Sequence, residues 1–138
     1  MAPTDTARPR RLWLVGLIVV AVATGIWASA TQRRRPGAAV ALGTGRFQLL
    51  EFGMGVCEQC RRMAPVMDQA RRELGGRLDV HVLDIRQEAN EQLAERFGLR
   101  AIPLVILVDG AGREVWRHEG YVAYPELSHS VSRRMAAR

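Results

Sequence analysis

The chain has little cysteine, little histidine and no lysine. Of its 138 residues two are cysteines and three are histidines, and all 20 basic side chains are arginine. Two cysteines are too few for a disulfide-knit scaffold, which needs more of them at wider spacings. A structural zinc site would need two further ligands, and His81, His118 and His129 show no paired ligand spacing. The missing lysine reads as a coding bias and carries no mechanism. The rest of the composition is ordinary, 48% hydrophobic and 25% charged, which argues against wholesale disorder. The length suits one domain with a modest core.

A net charge of +6 invites a nucleic-acid reading, but its distribution argues against one. Residues 1–44 hold six arginines and a single acid, Asp5, whereas residues 45–138 hold 14 arginines and 13 acids. The excess sits beside one apolar segment and not across a folded face, which fits a membrane flank and no nucleic-acid partner.

That segment, residues 12–30 (LWLVGLIVVAVATGIWASA), is 19 residues without a charge. As a helix it spans roughly 28 Å, close to the hydrocarbon core of a bilayer. Trp13 and Trp27 stand near its ends, where aromatic rings favour the headgroup layer. The expectation is a transmembrane anchor behind a basic tail, residues 1–11. Ala28-Ser29-Ala30 also fits a signal-peptidase site, and cleavage after Ala30 would release a periplasmic or secreted protein. Arg33-Arg34-Arg35 just after that point favours retention, and the free amino terminus with its short leading tail favours an amino terminus inside and the domain outside. Residues 31–44 read as a linker broken by Pro and Gly, and residues 45–138 as the domain.

Within the domain the apolar pattern alternates between short runs and helical stripes. Residues 46–52 read as a buried strand ended by Gly53-Met54-Gly55. Cys60, Met63, Ala64, Met67, Ala70 and Leu74 recur at helical spacing, and Gly75-Gly76 closes that helix. Residues 78–85 form a second strand, and residues 88–97 a helix with Ala89, Leu93 and Phe97 on one stripe. Residues 104–108 are apolar throughout and suit a central strand. A turn at 109–112 returns the chain as a fourth strand, 113–119, before a helix at 125–135. The order β-α-β-α-β-β-α predicts an α/β sandwich with a mixed four-stranded sheet.

Both cysteines fall in one Cys-x-x-Cys, at Cys57 and Cys60, where a strand gives way through glycines to a helix. Residues three apart on a helix are neighbours, so the pair can close a small disulfide ring. At the helix start, free N–H groups and the helix dipole stabilise a thiolate on Cys57. Cys57 is thus the candidate nucleophile and Cys60, on the core-facing stripe, the candidate resolving cysteine. Glu58 between them would disfavour the thiolate if close to Cys57 and make the dithiol more reducing.

Over roughly residues 46–136 the chain resembles the thioredoxin family, and the resemblance rests on several separated points. Phe52 lies five residues before Cys57, as in the strand leading to the family's active site. Glu51 holds the place of the buried acid, usually an aspartate, that accepts a proton from the second cysteine, which makes it a candidate proton relay. Pro65 matches the helix-kinking proline. Ile102-Pro103 matches the pair with a cis-proline that faces the disulfide and binds substrate backbone, and Gly120 falls beside the substrate groove. The chain departs from the pattern where Val56 replaces a tryptophan, Glu58-Gln59 replaces Gly-Pro and Val82 replaces a lysine that interacts with the buried acid. The family's first strand and helix have no counterpart, the linker taking their place.

The resemblance implies a thioredoxin-like three-layer sandwich and a thiol–disulfide oxidoreductase with no cofactor beyond its own Cys57–Cys60 disulfide. It further suggests a membrane-anchored relative that reduces protein disulfides in the cell envelope, with a membrane electron-transfer protein as reductant. Two alternatives stay open. One is a thioredoxin-fold copper chaperone, with Cys57 and Cys60 holding Cu(I). The other is an oxidase or isomerase that donates its disulfide.

Overall fold

The computed structural model describes residues 40–137. The expected tail (1–11) and membrane segment (12–30) lie outside the described residues, among which no helix is long and apolar enough to cross a membrane. The elements run β1 (Phe47–Gly53), α1 (Glu58–Leu74), β2 (Leu78–Asp84), α2 (Glu88–Arg96), β3 (Leu104–Val108), β4 (Glu114–Glu119) and α3 (Tyr124–Ala136). They fall in the order read from the sequence, with ends displaced by a residue or so, as helix and strand ends commonly are. The sheet has the order β2-β1-β3-β4. β1 runs parallel to β2 and antiparallel to β3, and β3 runs antiparallel to β4.

The two inner strands, β1 and β3, are covered on both faces, so alternate side chains enter different cores. Leu49, Val105 and Leu107 pack with Met63, Met67 and Ala70 of α1 and with Leu127 and Val131 of α3. Leu50, Phe52, Leu104, Ile106 and Val108 pack on the other side with Leu93 and Ala94 of α2. Double coverage explains why β3 reads LVILV with every residue buried. By the same alternation Glu51 and Gly53 share the α1 side of β1 with Leu49.

The helices differ from the sequence reading in detail. Ala64 is exposed and Val66 takes its place on the buried stripe of α1; a stripe wider than the strict i, i+3, i+4 set leaves room for either assignment. On α2 the side chain buried beside Leu93 is Asn90, while Ala89 is only half-buried. Burial of this polar group is tolerated because its amide donates to the Asp84 carbonyl at 3.0 Å, tying α2 to the end of β2.

Part of the stretch read as a linker is packed. Val40 and Leu42 lie against the α2-side core, Gln48 Nε2 donates to the Ala41 carbonyl at 3.0 Å, and the Gly45 amide donates to the Gly110 carbonyl at 2.9 Å. Residues 40–45 thus form a strap across the 109–112 turn, at the end of β1 away from the cysteines.

Ile106 is fully buried in the middle of β3. Ile106→Ala is expected to cost about 2–5 kcal/mol, a large share of a small domain's stability. Ala64→Ser, on the exposed face of α1, should stay within about 0.5 kcal/mol of the parent. Urea unfolding of the two variants checks the difference.

Candidate redox-active site

The turn after β1 delivers Cys57 to the first position before α1, its amide donating to the Met54 carbonyl at 3.1 Å. Its backbone is extended (φ −80°, ψ 126°) and its Sγ accepts the Cys60 amide at 3.3 Å, so the sulfur serves as the helix N-cap. Both cysteines are free thiols. Cys57 is half-buried and Cys60 is 7% exposed on the stripe facing the sheet.

This placement gives the two sulfurs unlike acidity. A hydrogen bond from the Cys60 side chain, joined by backbone N–H groups at the helix start, pulls the Cys57 thiol below its ordinary range. Burial, reinforced by that same hydrogen bond to Cys57, pushes Cys60 up to about 11. Glu58 forms an ion pair with Arg61, one turn on, at the exposed face of α1, and it is not among the groups that shift Cys57.

Glu51 is 2% exposed, and its neighbours across the sheet are Val82 on β2 and Val105 on β3. Neither supplies a counter-charge, and Oε1 has no hydrogen-bond partner among the described residues. Burial therefore raises its carboxyl from 4.5 to about 7. The acid and Cys60 converge on Gly53: a Cβ built there would lie 2.5 Å from Glu51 Oε1 and 3.2 Å from Cys60 Sγ.

The other expected residues gather on a neighbouring loop pair. The Ile102–Pro103 peptide is cis, Pro103 is buried, and its carbonyl accepts the Gly120 amide at 2.7 Å. Gly120 has φ +86°, a conformation that favours glycine, and a Cβ there would stand 3.5 Å from Gln59 Oε1. Gly120 is thereby set between the Pro103 loop and the Cys-x-x-Cys turn. Val56, next to Cys57, is 73% exposed, and Tyr121, next to Gly120, is 36% exposed with the Arg62 guanidinium 4.4 Å above its ring. His118 lies on β4, its ring stacked on Trp116 and its Nε2 3.4 Å from the Tyr121 carbonyl.

Sequence reasoning passed over Gly53, treating it only as a strand breaker, and over Tyr121. For Gly53 the signal was present: it is two residues from Glu51 on the same strand and so on the same face. Among the described residues there is no group of three or more His, Cys, Asp or Glu side chains placed to hold a metal ion.

Two neighbouring thiols of unlike acidity, one presented to solvent and one held against a buried acid, have the layout of dithiol–disulfide exchange, and with this sheet they define a thiol–disulfide oxidoreductase. Residues 40–133 match the family described as Thioredoxin, and the chain belongs to that family. It is 29% identical to Thioredoxin 1 of Nostoc sp. over 87 residues, 63% of this chain and 78% of that protein. With the thioredoxin of Mycolicibacterium smegmatis it shares 35% identity over 71 residues, 51% of this chain and 63% of that one. The X-ray structure of Fasciola hepatica thioredoxin superposes with a TM-score of 0.58 at 25% identity, covering 67% of this chain and 84% of that one.

Because the carboxyl of Glu51 holds its proton more tightly folded than unfolded, the folded state binds more protons between pH 4.5 and about 7. Its contribution to stability is full below pH 4.5 and is lost as the pH rises through about 7, in all about 3 kcal/mol. Glu51→Gln should remove that slope and leave the protein more stable than the parent at pH 8 by on the order of 1–3 kcal/mol. Urea unfolding of both proteins at pH 4.5 and pH 8 measures the difference.

Proposed function

We propose that the protein reduces disulfides of protein substrates at the cell envelope, with Cys57 as nucleophile, Cys60 as resolving thiol and Glu51 as proton relay. The observation that carries this reading is the unequal acidity of the two sulfurs, with a buried carboxyl on the side of the less acidic one. The Cys57 thiolate attacks one sulfur of a partner disulfide. A Cys57–partner bond forms as the partner's S–S bond breaks, and the departing sulfur takes up a proton. Glu51 then accepts the Cys60 proton, and the Cys60 sulfur attacks Cys57 Sγ, releasing the second partner sulfur. Two electrons pass to the partner, and a Cys57–Cys60 disulfide is left for an external reductant to reopen.

Ile102, Pro103 and Gly120 are the backbone-binding side of the groove in this scheme. Val56, next to Cys57, and Tyr121, next to Gly120, supply exposed apolar surface, of the kind that marks a protein contact. The uncharged run at 12–30 supports a membrane anchor, and the short tail before it supports a domain on the outer face. A membrane electron-transfer protein is then the natural reductant.

With dithiothreitol as electron source the protein should reduce a protein disulfide. Cys57→Ser should abolish turnover, and Cys60→Ser should accumulate a mixed disulfide visible on non-reducing gels. Release should quicken as pH rises through about 7, where Glu51 ionises, and Glu51→Gln should flatten that rise. A reduction potential near roughly −270 mV fits a reductase, whereas one near roughly −120 mV would assign disulfide donation instead.

A further inference from the structure

We infer that Gly53 is a positioning residue: its missing side chain is the space through which the Glu51 carboxyl reaches Cys60. The inference rests on the proton-relay reading above and adds to it a second residue and a size rule. Glu51 and Gly53 lie on one face of β1, the face that packs against α1, so any side chain at 53 projects where the carboxyl turns toward the cysteine. The point a Cβ would occupy is 2.5 Å from Glu51 Oε1, 3.2 Å from Cys60 Sγ and 3.3 Å from Cys60 Cβ. The first distance is impossible for a real contact, and the atom that must yield is the end of a side chain, so the acid would be turned away before the strand moved.

Conformation does not explain the glycine, since Gly53 has none of the positive φ found at Gly98, Gly112 or Gly120. Hydrogen bonding does not explain it either. Its carbonyl accepts the Ile85 amide at 3.1 Å, a contact any residue can make. What remains is space. A glutamate carries its carboxyl one methylene further than an aspartate would, and the empty Cβ position lies in the path of that extra length. Glu51 and Gly53 therefore form a matched pair, a long acid beside an absent side chain.

The test uses the full chain, reduced beforehand and mixed with a peptide disulfide, with acid-quenched mixed disulfide as the readout of the second step. Iodoacetamide labelling of Cys57 reports the first thiol separately. Gly53→Ala should slow release from the mixed disulfide about ten- to a hundredfold. That cost should fall below about twofold in a Glu51→Gln background, where no relay remains to be displaced. It should shrink likewise in Glu51→Asp, whose shorter arm leaves room for a Cβ. An equal cost in all three backgrounds, or none in the parent, overturns the inference and leaves the proposed function standing. If the parent itself does not reduce the peptide, the proposed function falls and this inference with it. Unfolding is followed in parallel. Should Gly53→Ala fail to fold while Gly53→Ala/Glu51→Asp folds, the clash with the long acid is shown directly. Failure of both to fold would assign the glycine to packing against Cys60 and overturn the inference.

Discussion

A strand buried on both faces has no solvent side on which to put a charge, and β1 carries a carboxyl anyway. Every other feature of the site follows from where that carboxyl is trapped. The alternation that sends Leu50 and Phe52 to the α2 core sends Leu49 and Glu51 to the α1 core, and the α1 core is where Cys60 lies. The residues paired with it on both flanking strands are valines, which offer no counter-charge, so its affinity for a proton is set by burial and not by a partner. An acid held by an arginine in the same place would stay ionised and be a poorer match to a proton exchanged near neutral pH.

The start of α1 imposes the complementary asymmetry. One sulfur caps the helix and is served by its N–H groups, and the other sits one turn in and is enclosed by the sheet. The same three-residue spacing therefore creates a sulfur that sheds its proton readily and one that retains it.

Most of the fold was legible because the patterning is strong. The run LVILV suits a strand covered on both sides, and the Cys60–Leu74 stripe suits a helix packed on the sheet. The cysteine pair stood out by itself, and the acid, the proline and Gly120 could be found because they coincide with positions of the thioredoxin pattern. What escaped depended on contacts between distant segments. Val40 and Leu42 looked like linker residues because nothing local shows that they meet the α2-side core. Asn90 stands outside the stripe expected for α2, and its burial depends on the Asp84 carbonyl beside it. The pairing of Glu58 with Arg61 was open to a helical-spacing argument, but competed with an equally local reading toward Cys57.

The strap of residues 40–45 fixes where the chain enters the domain. It crosses the 109–112 turn at the beginning of β1, and the cysteine turn leaves from that strand's other end, seven residues on, or about 20 Å away. Entry and chemistry are therefore at opposite poles. A large partner that approaches the cysteine turn head-on meets none of the strap residues 40–45.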